Sequence, residues 1–205
     1  PENLTFDEAA AIPFGGNTAL YFLRKGKIKE GQKVLIYGAS GAIGTAAVQL
    51  AKHFKADVTG VCSTANLNMV TTLGADRVID YTREDFSRNG ESYDIIFDTV
   101  GKSDISKCLG SLKEKGVLLL AAAGPSQMIR GLWTNLTGGR KVVSGVMSET
   151  AEDLAFFNEL IRNSKIKPVI DRCYPLEEAA EAHRYVEEGH KKGMGRGGKR
   201  GGIYG

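Results

Sequence analysis

Cysteine is scarce in this chain: Cys62, Cys108 and Cys173 are odd in number, widely spaced and contain no Cys-x-x-Cys pair. That pattern argues against both a disulfide framework and a cysteine-built zinc site, and points to buried or idle thiols. Histidine is as rare, and His53, His183 and His190 stand at no ligand spacing from a cysteine or carboxylate. No metal set and no catalytic residue is expected from them. Long apolar runs are missing too. The longest, Val117 to Ala123, falls far short of the roughly 20 residues that span a membrane. Pro1-Glu2-Asn3 opens no signal peptide, so a soluble cytoplasmic protein without a membrane partner is expected.

Charge of one sign is lacking from most of the chain. The formal charge is +3, yet Lys191, Lys192, Arg196, Lys199 and Arg200 all follow Gly189, leaving 22 basic against 24 acidic residues before it. Composition therefore does not make the body a polyanion binder. Residues 189–205, GHKKGMGRGGKRGGIYG, hold eight glycines and no apolar period, so a flexible Gly/Lys/Arg-rich tail is expected. An RGG-like, RNA-binding role fits it poorly, because it has one aromatic and no true repeat; nucleic acid is not expected as a partner.

What is present is a 205-residue chain with 42% apolar residues, ample for a core. Residues Lys33 to Lys52 read KVLIYGASGAIGTAAVQLAK: an apolar strand from Val34 to Tyr37, a turn punctuated by Gly38, Gly41 and Gly44, and an amphipathic helix. This order makes a seat for a dinucleotide pyrophosphate. Gly41 lets the backbone approach the phosphates, Gly44 lets the helix lie close on the strand, and the helix N-terminus adds roughly 0.3–1 kcal/mol per favourable charge contact.

Strands and helices then alternate. Strands are expected at Asp57 to Cys62, Arg77 to Tyr81, Ser92 to Val100, Gly116 to Ala123 and Lys141 to Met147, with helices at Asn66 to Leu73 and Asp104 to Leu112. The apolar runs IIF and VLLLAAA suit central strands buried on both faces. Such alternation demands right-handed crossovers, and it predicts a doubly wound α/β Rossmann domain whose six-stranded parallel sheet has the order 3-2-1-4-5-6 and is flanked by helices. The domain is placed at residues 16–147, after a lead-in at 1–15. In that region two helices are expected, Thr5 to Ala11, capped by Thr5 and Glu8 and ending near Pro13, and Asn17 to Lys25. A C-terminal strand-helix segment at 148–188 follows, with a helix at Ala151 to Asn163, an extended stretch at Lys167 to Tyr174 and a last helix at Leu176 to Glu188.

The series AAAIPFGGNTALYFL, VLIYGASGAIGTAAVQLAK, LGADRVIDY, YDIIFDTVG and KPVIDRCYPLEEAAEAHRYVEEGH resembles the medium-chain dehydrogenase/reductase superfamily, alcohol dehydrogenase-like proteins, in its quinone oxidoreductase (zeta-crystallin-like) branch. The likeness covers residues 1 to about 190. Its turn has Ala39 where the common fingerprint has glycine, a usual departure in that branch. The resemblance implies a cofactor-binding part and C-terminal return segment without the N-terminal GroES-like catalytic domain, hence a chain incomplete as an enzyme. It also implies hydride transfer to a quinone or α,β-unsaturated carbonyl as small-molecule substrate. A homodimer through the edge of the sixth strand, KVVSGVM, is implied as well. The zinc-dependent cousins take a ligand near Phe14 to Asn17, where this chain has no Cys, Asp, His or Glu, so no zinc is expected.

The resemblance also supplies site residues. Ser40, Gly41, Ala42 and Ile43 sit where the turn meets the pyrophosphate. NAD specificity usually needs an acid about 20 residues on to hold the ribose 2′-OH. Here that place reads Val61-Cys62-Ser63-Thr64, and no Lys or Arg follows at Ala65 or Asn66. NADP is favoured over NAD, held by Ser63, Thr64 and Asn66 with Arg83 as a distant helper. Tyr81 is implied beside the adenosine, and Val100, Gly101 and Lys102 beside the ribose. Ala121, Ala122, Ala123 and Gly124 are implied at the nicotinamide wall, and Gly145, Val146 and Met147 on the same side. Thr18 resembles a cofactor-facing threonine, though a helix-start cap explains it equally well. A non-catalytic NADP(H)-binding module is the alternative function.

Overall fold

The computed structural model describes residues 4–122, 139–145, 147, 150–187, 194–197 and 203–204. Parallel strands β1 (Lys33–Tyr37), β2 (Asp57–Cys62), β3 (Arg77–Asp80), β4 (Tyr93–Asp98), β5 (Leu112–Leu120) and β6 (Lys141–Ser144) form one sheet in the order β3-β2-β1-β4-β5-β6. This is the Rossmann order expected from the alternation. Its central strands bury both faces. Val34 and Ile36 of β1, Ile95 and Phe97 of β4 and Leu119 of β5 enter one core, while Leu35, Ile96, Leu118 and Leu120 enter the other. The two-residue repeat of a strand makes this division, which is why these stretches read as unbroken apolar runs.

The first core is covered by helices α1 (Phe6–Lys25), α2 (Ala42–His53), α3 (Leu67–Thr72) and α5 (Ala151–Arg162), the second by α4 (Ile105–Gly110). Two helices were expected before β1, and the structure has one, running unbroken through residue 15 where the lead-in was expected to end. Its start is as expected, with Thr5 and Glu8 in a reciprocal capping box. Pro13 lies inside it. A proline in a helix interior costs about 3 kcal/mol. Ala19, Leu20, Phe22 and Leu23 on the same helix are at most 1% exposed, and large apolar side chains so buried contribute about 1.5–3 kcal/mol each, so packing wins. Close approach helps: a Cβ on Gly15 would lie 2.4 Å from the Ala42 carbonyl oxygen, so α1 rests directly on the start of α2.

Smaller shifts affect the other elements. The helix expected at Asn66 to Leu73 is a 3-10 turn at Thr64–Asn66 followed by α3. Strand β5 begins at Leu112 rather than Gly116: Leu112 pairs with Tyr93, the register then shifts across Lys113, Glu114 and Lys115, the last at φ +64°, and the ladder resumes at Val117 opposite Ile95. After α5 the chain is hooked to α2 by Gln49, whose amide donates to the Lys167 carbonyl at 2.9 Å and accepts from the Lys167 N–H at 2.8 Å. Strand β7 (Ile170–Tyr174) and helix α6 (Ala179–Glu187) follow. The tail expected to be flexible contains β8 (Met194–Gly197), parallel to β7, and β9 (Ile203–Tyr204), antiparallel to β8. A ladder is built from backbone donors and acceptors, so a glycine-rich segment with no apolar period can still add a strand to an available edge.

Candidate functional site

The turn between β1 and α2 is fixed from below. Gly38 and Ala39 both donate to the Val61 carbonyl at 3.0 Å, and the Thr99 hydroxyl donates to Tyr37 O at 2.9 Å. Gly38 has φ +82°, and a Cβ there would lie 2.5 Å from Val100 Cγ2. A Cβ on Gly44 would lie 2.1 Å from the Gly38 carbonyl oxygen, so both glycines are required by the fold. Gly41 differs. Its φ is −81° and its nearest neighbour to a Cβ would be Gly38 O at 3.5 Å, an ordinary contact.

Gly41 is the N-cap of α2 and brings no side-chain acceptor, and the first turn contains no acidic residue. The first helical bond runs from Thr45 N to Gly41 O at 2.9 Å, so the N–H groups of Ala42, Ile43 and Gly44 precede the intrahelical ladder. A cradle that the fold does not oblige to be glycine, at a helix start without its own cap, suits a pyrophosphate. One expected donor is spent elsewhere: the Gly41 N–H closes the turn on Gly38 O at 3.1 Å.

The loop after β4 forms the next wall. Asp98 is fully buried and accepts from the N–H groups of Val100, Gly101 and Ser103 and from the Ser103 hydroxyl. Hydrogen bonds to a charged group contribute about 1.5–3 kcal/mol each, so this loop is held firmly. It places Val100, 45% exposed, over Gly38. Gly101, at φ +70°, is packed so closely on the end of β5 that a Cβ would lie 2.1 Å from Ala122 O. Two residues expected on different walls of the site thus touch.

At the ends of β2 and β3, Ser63 accepts from the Asn66 side-chain amide at 3.1 Å, while the buried Asn66 Oδ1 has no hydrogen-bond partner. An orphaned buried acceptor beside the seat is a fitting partner for a ligand hydroxyl or amino group. No carboxylate was expected near this end of β2, yet Asp80, opposite Cys62 in register, brings one. Its oxygens accept from the Thr64 hydroxyl and from the Thr82 N–H and hydroxyl. The Thr64 hydrogen bond foremost, then those of Thr82, holds this carboxyl below the usual range against the opposing effect of burial.

A cleft of about 610 Å³ opens between the ends of β3, β1 and β4. Tyr37, Tyr81, Thr82, Arg83, Arg88, Lys102 and Lys107 line it, with Glu84, Asp85, Phe86 and Asp104. The structure therefore gathers Tyr81 and Lys102 at one opening and adds Arg88 and Lys107, which sequence reasoning did not single out. Tyr37 lines the same opening, and burial raises its hydroxyl pKa.

A family model for zinc-binding dehydrogenases matches residues 73–194. The chain belongs to that family. It is the quinone oxidoreductase-like, cofactor-binding part of a medium-chain dehydrogenase/reductase. Among curated relatives, the 2-methylene-furan-3-one reductase of Solanum lycopersicum is 34% identical over 199 residues, which is 94% of this chain and 47% of the relative. The NADPH-dependent alkenal/one oxidoreductase, chloroplastic, of Arabidopsis thaliana is 33% identical over the same shares. The chain thus spans about half the length of these relatives. A solved quinone oxidoreductase from Coxiella burnetii superposes with a TM-score of 0.88 at 30% identity, covering 98% of this chain and 63% of that one.

The family's name includes zinc, and the described residues offer no set that fits it. Among the described residues no three His, Cys, Asp or Glu side chains gather to hold a metal. Phe14 to Asn17 lie inside α1. Cys62 and Cys108 are buried, and burial pushes each thiol up to about 11, far from the thiolate that binds metal. No described helix is long and apolar enough to cross a membrane.

The remaining expected residues of this dehydrogenase-family chain fall as follows. Thr18 is not a helix-start cap, since α1 begins at Phe6. Its hydroxyl donates to Phe14 O at 2.6 Å and meets Met147 Sδ at 3.3 Å, joining two expected site residues. Ala121 packs on the first core, and Gly145, at φ +152°, is exposed. Ala123, Gly124 and Val146 lie outside the described residues. Sequence reasoning missed Asp98, Thr99 and Asp80 as positioning groups. The Asp-Thr-Val-Gly run was itself the available signal, an acid at a strand end followed by backbone N–H groups free to turn toward it.

Proposed function

We propose that this chain is the NADP(H)-binding part of a zinc-independent oxidoreductase acting on quinones or α,β-unsaturated carbonyls. The observation that carries the reading is the uncapped start of α2 behind Gly41, a glycine that neither backbone strain nor internal packing demands. Ser40, Ala42 and Ile43 would hold the pyrophosphate, Ser63 and Asn66 the adenosine ribose, and Tyr81 and Lys102 the flanks. A reduced nicotinamide held by these residues would supply the hydride for an electron-poor alkene or a quinone. The protein's residues bind, orient and exclude water. The relatives named as alkenal/one and furanone reductases support the substrate class. Cytoplasmic residence and pairing of two copies along β6 belong to the same reading.

Calorimetric titration of the 205-residue chain with NADPH is expected to show one saturable site. Activity with quinones and enones, assayed in parallel, separates an enzyme from the alternative binding module: binding without turnover supports the module, and no binding of either nicotinamide dinucleotide removes both.

A further inference from the structure

We propose that the 2′-phosphate of NADPH is read in this chain by Arg83, from the loop after β3, and not by a residue that follows β2. This rests on the NADPH reading above. The end of β2 cannot do the work alone. Thr64 commits its hydroxyl proton to Asp80, Ala65 has no polar side chain, and Asn66 directs its amide to Ser63. One hydroxyl donor, on Ser63, is left for a group carrying about −1.5 to −2 charges, which needs a cation.

Arg83 supplies one from the adjacent strand end. Its side chain is 76% exposed, and its Nε stands 3.7 Å from Asp80 Oδ2. That contact leaves the terminal amino groups of the guanidinium fork to bind two phosphate oxygens. Asp80 does not oppose the phosphate in proportion to its charge, because it is 5% exposed and its oxygens are engaged by Thr64, Thr82 and Arg83. The cleft's other cations are placed for other tasks. Lys107 is paired with Asp85 at 2.6 Å, a hydrogen bond that raises the Lys107 pKa, Arg88 ends the 3-10 turn that Asp85 caps, and Lys102 follows β4 on the facing wall. Of its carboxylates, Asp85 has that pairing and Asp104 caps α4, leaving Glu84 to compete for the arginines.

The test is the dissociation constant for NADPH and for NADH, measured by calorimetry on wild type, Arg83→Ala, Arg83→Lys and Arg88→Ala, with 2′,5′-ADP against 5′-AMP as cofactor fragments. Arg83→Ala is expected to weaken NADPH and 2′,5′-ADP at least about tenfold while NADH and 5′-AMP stay within about twofold, the size of one lost charge-assisted hydrogen bond. Arg83→Lys should be intermediate, and Arg88→Ala should leave the NADPH/NADH ratio unchanged. If Arg83→Ala leaves that ratio at its wild-type value, the proposal is wrong. A wild type that binds NADH as tightly as NADPH overturns the Arg83 assignment and spares the dinucleotide site, whereas binding of neither overturns the site itself.

Discussion

Gly41 and Gly44 stand three positions apart in one turn and do different things. An alanine at Gly41 meets only Gly38 O at 3.5 Å, in a backbone conformation any residue adopts; at Gly44 the same methyl group would lie 2.1 Å from that oxygen. Gly41→Ala should therefore leave the thermal midpoint nearly unchanged and weaken NADPH binding about tenfold or more, since the methyl group occupies the ligand's side of the turn. Gly44→Ala should lower the midpoint by several degrees, as a backbone shift of about 1–3 kcal/mol requires. Melting curves beside NADPH titrations check both, and equal effects at the two positions would refute the division of labour. The glycine spacing was legible in sequence. So was the division of tasks, Gly41 toward the ligand and Gly44 toward the strand; how tightly each is held was not, because that depends on what lies across from an absent Cβ.

Short elements at the cleft are held together by ion pairs as well as by packing. Asp85 caps the 3-10 turn at Phe86–Arg88 through Ser87 and reaches Lys107 on α4 at 2.6 Å. The Lys107 hydrogen bond foremost, then those of Ser87, brings the Asp85 carboxyl down to about 2 from an ordinary 3.8. A carboxyl depressed in the folded state adds stability that is complete above its unfolded pKa and is lost as pH falls through its folded one. The advantage of wild type over Asp85→Asn should therefore be constant above about pH 4 and vanish between there and about pH 2. Urea unfolding across that range measures it, and an advantage that persists undiminished at pH 2 would show that the ionised pair is not its source. At this scale the sequence was read well where elements are long and periodic, as in α2, and less well at α1. There Pro13 looked like a boundary, although the helix runs through it to a second half whose Ala19, Leu20, Phe22 and Leu23 are buried in the first core.

The whole molecule leaves β6 at the end of the main sheet, hydrogen-bonded to β5, with no second strand partner among the described residues. A strand at the end of a sheet is a template for another copy. A homodimer at micromolar concentration is the expected result of sedimentation velocity, and a monomer there would contradict the pairing. The alternation of apolar strands and helices, with a glycine turn after the first strand, was enough to determine the sheet order and the strand–turn–helix on which the proposed dinucleotide seat rests, because both follow from local periodicity and the handedness of crossovers. Only the tertiary structure decided what surrounds the seat: Asp80 brought from β3 to the end of β2, Asp98 buried beneath the loop it orders, Gln49 hooking the chain at Lys167, and a glycine-rich strand laid beside β7. Asp80 and Gln49 join residues distant in the chain, the strand beside β7 rests on a backbone ladder indifferent to side-chain pattern, and the Asp98 bonds, though local, are aperiodic, so none leaves a periodic signal in the sequence.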